Sequence, residues 1–314
     1  MGIPAIIDCD PGHDDVMAIL LGARTLDLKG ITTVHGNVSL PLTTKNARFT
    51  VELAEITDIP IAAGMDRPIL RNAEHAPEIH GKTGLDGPEL HEPTVPIRPE
   101  HAVDFIYDVA KQHDNFHLLP IGPFSNVGAA LRRYPDLVDH ISGISLMGGS
   151  TTVGNVTATA EFNIWADAEA AHLVYESGIP IKMLGLNVTR QVAATPDIRD
   201  KIRGMGGRTA TAVAQMLDFY SERLKKLYGL SGGSMHDPLA VAVLIDKDIV
   251  EFEEMHVAVE LKGEHTYGMT VCDYRRRTTD SGERYGSKPN AEVAVAVNAD
   301  RFWELFLDTL ATYP

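Results

Sequence analysis

The chain has 314 residues, 44% hydrophobic and 23% charged, with a formal net charge of −15. That length and apolar share are enough for one or two domains with a sizeable core. The negative charge argues against a nucleic acid polymer as partner, because binding to a phosphate backbone rests on Lys and Arg; a neutral or cationic small molecule fits better.

Apolar runs that end in Gly, Pro, Asn or Asp alternate with stretches of helical period. In chain order the pattern predicts a strand at 3–8, a helix at 14–25, a strand at 30–36, a helix at 42–56 and a strand at 59–64. After a polar, turn-rich excursion (70–98) come a helix at 100–113, strands at 116–122 and 141–149, a helix at 166–177 and a strand at 179–185. Helices at 208–228 and 237–246 follow, then a strand at 255–261, a second polar excursion (262–290), a strand at 292–298 and a helix at 300–312. The alternation predicts one α/β domain spanning 1–314, Rossmann-like, with a mostly parallel central sheet flanked by helices. Ligands of such sheets bind beyond the C-terminal ends of the strands, near a switch point. No apolar run reaches the ~18–20 residues that cross a bilayer, and the start MGIPAIIDCD has no basic segment before its apolar stretch. No membrane contact and a cytoplasmic location are expected, in keeping with only two cysteines, Cys9 and Cys272.

The segment DCDPGHDD sets Asp8, Asp10, Asp14 and Asp15 at the end of the first strand. Asp8 and Asp10 share one side of that strand, and Pro11-Gly12 turns the chain into a helix near Asp14. A helix N-terminus favours an anion by about 0.3–1 kcal/mol, which accounts for a capping pair and not for four acids. A divalent cation accounts for all of them, since carboxylates and backbone carbonyls suit Ca²⁺ or Mg²⁺. The alternative is a capping pair plus two solvated acids. No GxxxxGK[ST] phosphate loop is present, and the glycine-rich runs 148–154 and 203–208 do not have its spacing.

These residues and four later blocks, HGN (35–37), PIGPFSN (120–126), LMGG…GN…EFN (146–163) and HDP (236–238), resemble the inosine–uridine preferring nucleoside hydrolases. The resemblance covers nearly the whole chain. It implies a calcium-dependent enzyme that hydrolyses the N-glycosidic bond of ribonucleosides to ribose and free base. Carried over by position, Asp10, Asp15 and Asp237 would ligate Ca²⁺ together with the backbone carbonyl of Ile121, where many relatives have Thr. Asp14, Asn37, Met147, Asn155, Glu161 and Asn163 would line the ribose pocket, with Asp8 as a supporting acid behind them. Similar proteins are dimers or tetramers, so a homodimer or homotetramer is expected.

Breaking an N-glycosidic bond passes through an oxocarbenium-like state and needs an activated water and relief of charge on the departing base. Asp10 is the expected general base. His236 is the expected acid, since histidine titrates near neutrality; yet Asp237-Pro238 is also an ordinary way to start a helix. His80 and Tyr228 are candidates for contact with the base, the glycine stretch 229–233 is a candidate hinge, and Tyr220 is expected to be packed. His75 and His91 are expected in solvent and His35 buried. Trp165 and Trp303 are expected in the core; the purine-specific branch of the family the chain resembles relies on tryptophans around the base, so the resemblance implies broad or pyrimidine-tolerant use of bases. Two other readings are a phosphatase built on Asp8-Cys9-Asp10 and an inactive calcium- or sugar-binding protein.

Overall fold

The computed structural model describes residues 2–230, 232–275 and 286–314. Ser231, in the candidate hinge, and residues 276–285, in the second polar excursion, lie outside the described residues. The strands are β1 (Pro4–Cys9), β2 (Asp27–Thr33), β3 (Ile61–Ala63), β4 (His117–Pro120), β5 (Gly143–Met147), β6 (Ile181–Leu184), β7 (Ala193–Ala194), β8 (Gly233–Ser234), β9 (Val250–Val259), β10 (Thr270–Asp273) and β11 (Ala291–Val297).

Nine of them form one sheet in the order β10-β9-β11-β6-β5-β4-β1-β2-β3, and β7 and β8 form a small antiparallel pair. From β3 across to β11 neighbouring strands run parallel, and β9 pairs antiparallel with both β11 and β10. The chain begins in β1, moves outward through β2 to β3, and then crosses back to β4 on the other side of β1. The switch point therefore lies between β1 and β4, where a crevice opens beyond the strand ends.

β1 shows why its sequence belongs in the middle of the sheet. Successive side chains of a strand point to opposite faces: Ile7 and Cys9 join one buried apolar cluster and Ile6 joins the other. The helix His13–Thr25 that follows is buried without a break from His13 to Gly22. It is enclosed by the sheet and by the helices Pro238–Ile245, Ala299–Leu310 and Arg208–Tyr228, so an apolar sequence all round is what its position requires.

All eight expected strands form, with ends shifted by a few residues. β9 begins at Val250, earlier than the expected 255, because its first half carries acids on an exposed face. β10 is an edge strand inside the second excursion that sequence pattern did not indicate. The helix Pro196–Met205 was also not expected: only Ile202 of it is buried, so it has almost no apolar stripe.

Candidate active site at the strand ends

The loops after β1, β2, β4 and β5 meet above the switch point. Asp8, the last acid within β1, is buried; its Oδ1 accepts hydrogen bonds from Thr32 Oγ1 (2.6 Å) and Asn126 Nδ2 (2.7 Å). Its Oδ2 is sealed from solvent and has no partner among the described residues. Burial pushes its carboxyl up to about 7 against the lowering effect of Asn126 and Thr32.

Asp15, in the first turn of the helix, accepts from the main-chain N–H groups of Asp10 (3.2 Å) and Gly12 (2.9 Å). It thereby ties the helix start to the end of β1 and satisfies donors that a helix N-terminus leaves free. Asn37 closes the other side: its main-chain N–H donates to Asp10 Oδ2 at 2.7 Å, and its side-chain amide donates to Asp10 O (3.1 Å) and Asp15 Oδ2 (3.3 Å). Two glycines leave room for the Asp10 carboxylate. A Cβ on Gly36 would lie 1.9 Å from Asp10 Oδ2, and one on Gly122 would lie 2.6 Å from Oδ1.

Asp14, Asp15 and Asp237 each bring a carboxylate oxygen within 4.8 Å of the others. Asp237 precedes the helix Pro238–Ile245 and makes no side-chain cap bond there, so its carboxylate is free for the cluster. Burial, and then the neighbouring acids, push Asp10, Asp14 and Asp237 above the usual carboxylate range; Asp15 is raised by burial against several hydrogen bonds. Among the described residues no Lys or Arg pairs with these four acids, so in their ionised forms they oppose one another. The expected ligand set held Asp10 where this trio holds Asp14.

Across the cavity, Asn163 donates its amide to the carbonyl oxygens of Ile121 (2.8 Å) and Met147 (3.2 Å). Glu161 caps the short helix Phe162–Ala166 through Asn163 N and Ile164 N, and also accepts from Gly149 N at 2.9 Å. Burial raises its carboxyl to about 7. Asn155 Oδ1 accepts from Phe162 N at 2.9 Å. His236 Nδ1 lies 2.7 Å from the Thr189 hydroxyl, and burial, then the Arg190 cation, push the imidazole down to about 3.

These groups line one cavity of about 600 Å³. Asp10, Asp14, Asn37, His80, Ile121, Met147, Asn155, Glu161, Asn163, Tyr228, His236 and Asp237 all contribute to its wall; of the acids singled out from sequence, Asp8 and Asp15 stand behind it. Tyr228 is exposed at the rim, and His80 is buried. Tyr220 is packed as expected and also faces the cavity. His75 and His91 are exposed and His35 is buried. Trp303 is buried and Trp165 partly so, and neither belongs to the cavity wall.

Sequence reasoning missed Arg190, the single Lys or Arg among the described residues of the wall, whose Nη2 donates to Gly154 O at 2.8 Å. It follows no motif, and an isolated arginine in a negatively charged chain carries no signal of its own. It also missed His13, whose ring lies beside His80.

An α/β sheet with an acid-floored cavity at its switch point defines a small-molecule site whose oxygen donors are those a divalent cation prefers. The description "inosine-uridine preferring nucleoside hydrolase" matches residues 5–304. The chain is 39% identical over 311 residues to the pyrimidine-specific ribonucleoside hydrolase RihB of Escherichia coli (strain K12), covering 98% of this chain and 97% of that one. Among solved structures it resembles a purine-preferring ribonucleoside hydrolase from Gardnerella vaginalis, with TM-score 0.90, 32% identity and 98% coverage of both chains. It also resembles an inosine-guanosine nucleoside hydrolase, with TM-score 0.86, 25% identity and 99% coverage of both. The chain belongs to the inosine–uridine preferring nucleoside hydrolase family. It is an N-ribosyl hydrolase, and the phosphatase reading of Asp8-Cys9-Asp10 falls.

Proposed function

We propose that residues 1–314 act as one unit that hydrolyses ribonucleosides with the help of bound calcium, with broad or pyrimidine-tolerant use of bases. The observation that carries this is the buried acid cluster on the cavity floor. Its donors are all oxygens, the set preferred by hard divalent cations, and among the described residues no Lys or Arg pairs with these acids. Asp10, Asp15 and Asp237, with the carbonyl of Ile121, would hold the ion. When bound, such an ion supplies an acidified water and an anchor for ribose hydroxyls.

The chain's own residues supply the remaining chemistry. Asp10 takes the proton of the attacking water as general base. Asp14, Asn37, Met147, Asn155, Glu161 and Asn163 hold the ribose, the last three by hydrogen bonds to its hydroxyls, which removes part of the entropic barrier. The surrounding carboxylates favour the positive charge that develops on the ring. His236, with its Nδ1 2.7 Å from the Thr189 hydroxyl, delivers a proton to the departing base from its imidazolium form, which burial disfavours, and returns to the neutral ring. His80 and Tyr228 contact the base.

The base preference draws support from the absence of both tryptophans from the cavity wall and from the pyrimidine-specific name of the Escherichia coli relative. A homodimer or homotetramer in the cytoplasm completes the proposal, and light scattering on the purified protein tests the assembly. The test of function is release of reducing sugar from inosine, guanosine, adenosine, uridine and cytidine, before and after chelation. Release that chelation abolishes and calcium restores is expected, with Asp10→Ala inactive yet folded. Turnover that survives exhaustive chelation would refute the metal-dependent reading.

A further inference from the structure

His80 lies in the first polar excursion, yet its ring is buried against the helix that starts at His13. His13 Nδ1 and His80 Nδ1 are 3.1 Å apart, and His13 Nε2 is 2.9 Å from the main-chain carbonyl oxygen of Asp86. The rings of His13, His80 and Tyr220 lie nearly parallel, with centroids 5.3–5.5 Å apart, and Phe219 stacks on His13 at 5.5 Å. His13 is held from several sides, and nothing in the proposed chemistry uses it.

The hydrogen-bond arithmetic fixes its tautomer. A carbonyl oxygen only accepts, so His13 Nε2 carries a proton. His13 is fully buried at a helix N-terminus, where a cation is disfavoured twice over. A neutral ring with Nε2–H has a bare Nδ1, and this nitrogen faces His80 Nδ1. For the 3.1 Å contact to be a hydrogen bond, His80 must carry its proton on Nδ1. The main-chain N–H of His13 also points at that nitrogen from 3.3 Å. That N–H donates only to a bare Nδ1, so the Nδ1–H tautomer forgoes this longer bond in exchange for the shorter one, whereas the opposite tautomer keeps it and sets two bare nitrogens face to face.

We infer that His13 is a positioning residue: together with the Asp86 carbonyl it holds His80 as the Nδ1–H tautomer, so that His80 presents a bare Nε2 to the substrate as a hydrogen-bond acceptor. Among the described residues nothing bonds His80 Nε2, and it is not one of the sealed polar atoms, so it opens onto the cavity that His80 lines. The group it recognises is an N–H on the edge of the base, such as a protonated ring nitrogen or an exocyclic amine. The inference rests on the proposed contact between His80 and the base.

The test uses three His13 variants in the full-length, metal-loaded enzyme, with uridine and p-nitrophenyl riboside as substrates; the second offers no N–H donor. His13→Asn keeps an oxygen near the Nδ1 position, His13→Gln keeps only the reach to Asp86, and His13→Leu keeps neither. The quantity read is kcat/KM on uridine divided by kcat/KM on p-nitrophenyl riboside. His13→Leu and His13→Gln should lower this ratio about 10-fold, the scale of one buried polar group left mismatched, and His13→Asn should recover most of it. In His80→Ala the ratio should fall likewise, and adding His13→Leu should lower it no further. Nitrogen NMR of labelled histidines reads the tautomer directly: a protonated Nδ1 on His80 in the native protein, lost in His13→Leu. If His80→Ala leaves the ratio unchanged, the contact between His80 and the base is wrong. If His80→Ala lowers it and His13→Leu does not, or if His80 shows a protonated Nε2, the positioning role is wrong.

Discussion

Gly36→Ala is a severe perturbation confined to one methyl group. Gly36 does not occupy the positive-φ region, so its backbone accepts an alanine and the only obstacle is the neighbouring atom. That neighbour is Asp10 Oδ2, 1.9 Å from the position the new Cβ would take, where ordinary contact begins at 3.4 Å. The carboxylate or the loop must therefore give way by about 1.5 Å, while the 2.7 Å hydrogen bond from Asn37 N pulls the carboxylate back toward the clash. A displacement of about 1 Å at a reacting group costs roughly 100-fold in rate, so kcat for uridine should fall by at least that factor. Overpacking of this size should cost about 1–3 kcal/mol of stability, leaving a folded protein with a lower melting temperature. Gly204→Ala is the control, because a Cβ there meets nothing within 4 Å. The assay pairs steady-state sugar release with thermal unfolding of both variants. If Gly36→Ala stayed within about threefold of native kcat, against the ~100-fold expected, Asp10 would not need its observed position and its role as base would fail.

His236→Ala should reduce kcat on inosine and uridine far more than on p-nitrophenyl riboside, whose leaving group departs without a proton; equal losses would remove the acid role. Chelation should make the protein's stability fall as the pH rises. Asp8 and Glu161 bind protons up to about 7 when folded but only near the ordinary carboxylate range when unfolded, and the other buried acids shift the same way. The native state thus binds more protons between pH 4 and 7, and the chelated protein should melt at a lower temperature at pH 8 than at pH 5, with added calcium restoring most of the loss at pH 8. Glu52 behaves in the opposite sense: burial raises its carboxyl, but bonds from His91, Val95 and Thr94 outweigh this and hold it at about 2. Its contribution is present above 4.5 and disappears as the pH falls through about 2, so Glu52→Gln should cost about 1–2 kcal/mol at neutral pH and progressively less in acid, read by denaturant unfolding.

The parts of the site legible in the sequence are those built from short-range chemistry. Asp8, Asp10, Asp14 and Asp15 sit at one strand-to-helix turn, so their crowding shows in eight consecutive residues. Asp237 announces itself through the Pro that follows it. The rest depends on pairings that no local pattern encodes. His13 meets His80 across 67 positions, and Asp8 meets Asn126 across 118; both contacts exist only once β1 and β4 are neighbours and the first excursion has folded back. The edge strand β10 and the helix Pro196–Met205 were missed because an edge strand and a solvated helix bury too little to leave a hydrophobic period.

The acid floor and the cavity rim differ in how freely they can vary. Around Asp10 the walls are the glycines Gly36 and Gly122 and the main-chain N–H of Asn37, so any side chain added at either glycine collides with the carboxylate. At the rim, Tyr228 projects from an exposed position, where a change of side chain meets fewer packed neighbours than on the acid floor. Such a molecule can drift in the base it prefers while its bond-breaking apparatus stays fixed. A family whose members bear the names pyrimidine-specific and purine-preferring on one shared scaffold is what that division of labour would produce over time.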